Sequence, residues 1–163
     1  HHVTWRYDPI IPTIHDATRY RQLARQMADL GITRGVINFI APPGRYTRVD
    51  RRLRELLPGW DGGMPGYDLA WQIRVATELV ALAQEAEISL SCCAEGAALH
   101  DHVAGLGHAS CGDHEWFAAL SGRRPPPAIY KGSRPGCGCA RYYDVGNYGH
   151  WQLCHRCAYC YAG

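Results

Sequence analysis

The sequence predicts an α/β fold of parallel βαβ units followed by an irregular cysteine-rich tail. Three observations carry this. Short apolar or β-branched runs alternate with longer amphipathic stretches, which is the order of strands and crossover helices. A proline run at 125–127 then ends that alternation. Finally, five of the eight cysteines crowd between Cys137 and Cys160. With 163 residues, 47% hydrophobic and 20% charged, the chain has enough apolar material for a core, which excludes disorder and a repeat array.

The elements follow in order. Val3-Thr4-Trp5-Arg6-Tyr7 is β-branched and aromatic and is expected to be a strand stopped by Asp8-Pro9. Asp16 can cap a helix in which Tyr20, Leu23, Ala24, Met27 and Leu30 recur every three or four residues, with Gly31 as terminator. Gly35 to Ile40 is a short apolar run closed by Ala41-Pro42-Pro43-Gly44, as in a buried parallel strand. Arg48 to Leu57 reads as a helix with Leu53, Leu56 and Leu57 inward and Arg51, Arg52 and Arg54 on a solvated face, broken by Pro58-Gly59. The longest helix starts near Asp68, carries Leu69, Ile73, Ala76, Leu79, Val80 and Ala83 as one stripe, and ends near Glu87. Ile88 to Cys93 is a third strand. A small-residue loop through His100, His102 and His108 leads to Cys111, and Asp113 can cap a last helix, Glu115 to Leu120. Residues 1–121 are thus the α/β domain, 122–136 a stiff Pro/Gly-rich connector and 137–163 the tail. Three strands cannot close a barrel, so a sheet edge is left for a partner or a missing segment to cover.

Charge and hydropathy exclude several functions. A formal charge of +2, from seventeen basic and fifteen acidic residues, is no signal for nucleic acid. No apolar stretch is long enough for a membrane span, and no export signal precedes the first strand, so a cytoplasmic protein is expected. The sequence starts His1-His2-Val3 without Met, which reads as a fragment, a processed product or a trimmed version.

The tail carries the chemistry. Cys137-Gly138-Cys139 and Cys154-His155-Arg156-Cys157-Ala158-Tyr159-Cys160 place thiolates two or three residues apart, close enough to converge on one ion or cluster and not easily formed into separate disulfides. A C-x2-C-x2-C run is a feature of iron-sulfur ligation. We take Cys154, Cys157 and Cys160 as core ligands, with Cys137 or Cys139 as the fourth. Zinc accepts the same donors and remains the alternative metal; disulfides or free thiols are the plainer reading. Cys92, Cys93 and Cys111 are by default small buried hydrophobes. The dispersed His100, His102, His108 and His114 make a poor metal set.

Ligands of parallel α/β sheets bind beyond the carboxyl ends of the strands, and Arg6, Asp8, Asn38 and Glu95 are the polar residues expected there, lining a pocket for a small molecule. A mutual salt bridge is the competing role for Arg6 and Asp8, and capping of the next segment that for Glu95.

Trp5-Arg6-Tyr7-Asp8-Pro9-Ile10, Cys93-Ala94-Glu95, His108-Ala109-Ser110-Cys111, Arg134-Pro135-Gly136-Cys137-Gly138-Cys139, Asp144-Val145-Gly146-Asn147-Tyr148 and Cys157-Ala158-Tyr159-Cys160-Tyr161-Ala162 together resemble the bacterial and archaeal family called domain of unknown function 1848. The motifs stand in the family's order over nearly the whole chain. Because family members look about twice as long, with further strand and helix units ahead of the first motif, the resemblance implies their C-terminal half and part of a TIM-like α/β barrel. The family's terminal cysteines are similar to the iron-sulfur motif of radical S-adenosylmethionine enzymes, which implies a four-iron (4Fe-4S) cluster. That motif usually reads Cys-x3-Cys-x2-Cys, whereas Cys154 and Cys157 are one residue closer, and the shorter loop argues against S-adenosylmethionine as cofactor. The expected protein is therefore an iron-sulfur protein of redox or radical type. The alternatives are a zinc-stapled α/β domain without catalysis, or a non-functional fragment of a longer protein.

Overall fold

The computed structural model describes residues 3–60, 68–93, 95–109 and 113–123, together with Cys157 and Tyr159. Its elements run β1 (Trp5–Ile10), α1 (Ala17–Asp29), β2 (Arg34–Phe39), α2 (Thr47–Leu56), α3 (Leu69–Glu85), β3 (Ser89–Cys93), α4 (Ala97–His102), β4 (Gly107–Ala109) and α5 (His114–Ser121). The four strands form one all-parallel sheet in the order β1-β2-β3-β4. An order that never reverses places successive crossover helices on the same side, as in the wall of an α/β barrel, whereas a doubly wound sheet reverses and covers both sides. Accordingly α1 and α3 touch each other and pack on one face.

Aspartates start three of the five described helices, α1, α3 and α5. The Asp16 carboxylate accepts from the amides of Thr18 (2.8 Å) and Arg19 (3.3 Å), and Asp113 accepts from Glu115 and Trp116 at 3.1 Å each. Asp68 does the same for the Trp71 amide at 2.8 Å. Each satisfies first-turn donors that the helix itself cannot.

The main core lies between the sheet and α1 and α3. Ile37, Leu90 and Cys92 point from the strands onto Tyr20 and Ala24 of α1 and Val75, Ala76 and Leu79 of α3. Gly35 belongs to this face. A Cβ there would meet Leu90 Cδ1 at 3.1 Å and Ile88 Cγ2 at 3.2 Å, so the glycine lets β3 side chains close over β2. A second, smaller core gathers Ile11, Ile40, Val49, Leu53 and Trp60 past the carboxyl ends of β1 and β2. Asp50 is buried beside it, accepting from Trp60 Nε1 and from the Gly44 amide at 2.9 Å each, so one carboxylate ties the loop after β2 to α2 and Trp60.

Several expectations need correction. β1 does not stop at Asp8-Pro9 but runs on to Ile10, with a register shift between Tyr7 and Ile10. Proline lacks the N–H of a regular ladder, and an edge strand with an irregularity accommodates it. A fourth strand, β4, and the short helix α4 occupy what reads as a small-residue loop. The signal was present in Leu99, Val103 and Leu106, all buried at helical spacing, but the elements are too short for periodicity to stand out. Leu56 and Leu30 are 62% and 63% exposed rather than inward, because each falls at the last turn or cap of its helix, beyond the packed stripe. Among the described residues no helix is long and apolar enough to cross a membrane.

Candidate functional site

Alternation along a strand sends successive side chains to opposite faces, and parallel partners share a face. The register pairs Arg6 with Val36, Val36 with Ser91, Arg34 with Ser89, and Ser91 with Gly107. These residues therefore line the face opposite α1 and α3. It mixes polar and apolar groups, and its cleft of about 240 Å³ is bordered by Thr4, Arg6, Arg34, Val36, Ser89, Ser91, His108 and Trp116 among others. Gly107 stands beside Ser91: a Cβ there would lie 2.8 Å from Ser91 Oγ, so glycine leaves room for that hydroxyl.

The cleft's charged groups are held from two sides. Arg34 Nη2 donates to Asp113 Oδ2 at 2.8 Å, and its guanidinium lies 4.8 Å from the centre of the Trp116 ring, a cation-π contact. Burial alone would raise the Asp113 carboxyl, but the Trp116 amide, the Arg34 hydrogen bond and charge, and the Glu115 amide outweigh it and keep the carboxyl below its ordinary value. Arg6 reaches Asp8 on its own strand, with Nη2 at 2.6 Å and Nε at 2.8 Å from Oδ2. The salt-bridge role weighed for this pair is thus the one observed.

Of the four residues expected at the strand ends, only Arg6 borders the cleft. Asn38 is buried one residue before β2 ends, and Glu95 is half-buried two residues after β3. Both stand near carboxyl ends of strands, whereas the cleft sits toward the amino ends, where Thr4, Arg34 and Ser89 lie. Sequence reading missed Arg34, Ser89, Ser91 and Trp116. The alternation of Ser89-Leu90-Ser91 was the available signal, whereas in β2 Val36 stands between Arg34 and Asn38 on that face and hides it.

At the β4 side of the cleft, which His108 also lines, two histidines meet. The rings of His100 and His108 stack with centroids 3.6 Å apart. Burial first, and the charge of His108 second, push His100 below its ordinary value, partly offset by the Leu106 backbone and Asp101. Stacked imidazoles cannot both aim ring nitrogens at one ion, since each ligates in its own plane. Among the described residues no three His, Cys, Asp or Glu side chains converge to hold a metal.

Of the expected ligands, Cys137, Cys139, Cys154 and Cys160 lie outside the described residues, as does Cys111. Cys157 is a free, half-exposed thiol. Cys92 and Cys93 are 1% and 4% exposed and fill space in and beside the core, as small hydrophobes do.

No curated protein and no solved structure matches the chain significantly. One family model does, and it takes in residues 1–162, which gives no support to the narrower expectation of a C-terminal half alone. On that match over essentially its whole length, the chain belongs to the family described as Domain of unknown function (DUF1848).

Proposed function

We propose that this is an iron-sulfur protein in which Cys154, Cys157 and Cys160, with Cys137 or Cys139, hold a four-iron cluster. The observation that carries the reading is the thiolate spacing of the tail. Cys157 fits it, being a free thiol that is partly exposed and so available as a ligand. Such tight thiol clusters suit a reducing compartment, and we place the protein in the cytoplasm. A cluster would supply one-electron chemistry. The chain's own contribution would be to bind a small molecule against the sheet, with Arg6, Asp8, Asn38 and Glu95 supplying polar groups on and beyond the strands.

Anaerobic purification followed by iron, sulfide and zinc analysis, with a visible spectrum, tests this directly. Brown protein with iron and sulfide in equal amounts, lost on Cys157→Ala, is the expected result. Colourless protein with one zinc and no sulfide would replace the cluster by a structural zinc staple. If iron is found, reductive cleavage of S-adenosylmethionine is the next assay. The short Cys154–Cys157 spacing predicts no turnover, and hence an electron-transfer or structural cluster.

A further inference from the structure

The face of the sheet opposite α1 and α3 carries a cleft whose Arg6 is shared with the small-molecule reading above, and the inference from it deepens that reading without depending on any cluster. We infer that the cleft between Arg6, Arg34 and Ser91 binds a small organic oxyanion, a carboxylate- or phosphate-bearing molecule, in exchange for the Arg6–Asp8 contact. Two guanidinium groups border it, against one bordering carboxylate, Asp113. A guanidinium has five N–H donors in a planar fork. Arg34 gives one donor to Asp113 while Trp116 covers its face, so its plane is set before any ligand arrives. Thr4, Ser89 and Ser91 add hydroxyls that can donate to an oxyanion or accept from a hydroxyl on the ligand body. At about 240 Å³ the cleft is below the size of a drug-binding pocket, which limits the ligand to a small metabolite.

Asp8 is what gives the site its selectivity. It neutralises Arg6 in the resting protein, but the pair is exposed on the arginine side, 46% against 20% for Asp8, and such pairs contribute little to stability. An incoming carboxylate or phosphate can therefore take over the Arg6 fork at small cost. A cation or a neutral sugar offers Arg6 nothing comparable to Asp8, and is refused.

Calorimetric titration of the full chain with sodium phosphate and with sodium succinate, at constant ionic strength, tests the proposal. One saturable site with a Kd of about 1 mM or tighter is expected for at least one of the two. Phosphate alone would identify a phosphate ester, succinate alone a carboxylate, and both an oxyanion site without that distinction. Arg6→Gln should weaken binding about 10-fold, and Asp8→Asn should tighten it by removing the internal competitor. Arg34→Gln also loosens α5, so Ser91→Val, which fills the cleft without touching an ion pair, is the variant that separates loss of the site from loss of fold. Absence of saturable heat with both anions overturns the inference, as does binding that Arg6→Gln and Ser91→Val leave unchanged while far-UV circular dichroism stays that of the parent protein. Neither result depends on whether the tail holds iron or zinc.

Discussion

The two faces of the parallel sheet use the same strands for opposite purposes. Toward α1 and α3, Ile37, Leu90 and Cys92 are at most 3% exposed and contribute by leaving water. On the other face the same strands present Arg6, Arg34, Ser89 and Ser91, of which the two arginines are held by ion pairs and Arg34 also by Trp116. A parallel sheet is ordinarily apolar on both sides. Two arginines and two serines on the face opposite a packed one are the reason to look for ligands there.

That contrast can be broken experimentally. The largest effect is expected on the packed side: Ile37→Ala, at a fully buried position, should cost about 3 kcal/mol in urea denaturation. Next comes the tie between β2 and α5. Asp113→Ala removes both the cap of α5 and the partner of Arg34, and should cost about 1 kcal/mol while raising hydrogen exchange at Glu115 and Trp116. Acid should then act at the α4–β4 corner. His100 titrates below its ordinary value in the folded chain, so the stability tied to its neutral form is full above about pH 6.5 and declines as pH falls through the folded value. His108→Gln removes one of the causes, and should reduce that pH dependence in thermal unfolding, with Asp101 left as the neighbouring charge. The smallest effect belongs to the cleft face: Ser91→Ala should change stability by no more than about 0.5 kcal/mol. A cost at Ser91 matching that at Ile37 would show the two faces to be packed alike.

Much of the fold was legible in the residues themselves. Asp16 and Asp113 announced their helices because capping is local, a side chain bonding amides two or three residues on. The runs at β2 and β3 were plain because buried parallel strands are nearly continuous in apolar residues. β4 was hidden, since three residues of Gly107-His108-Ala109 have no pattern of their own and become a strand only by pairing with Ser91 to Cys93. The site was less legible than the fold. Arg6 and Asp8 were visible because they share a strand, but Arg34 and Asp113 stand 79 positions apart, and nothing local joins them.

By itself, then, the sequence determined the parallel α/β class, the helix starts, the family and the crowding of thiols in the tail. These depend on spacing over a few residues and on composition. Only the tertiary structure decided that α1 and α3 share one face, that a fourth strand extends the sheet, and that Arg6, Arg34, Ser91 and Trp116 border one cleft. Register and strand order set those neighbours, and both come from long-range pairing whose energy is collected only when distant segments meet.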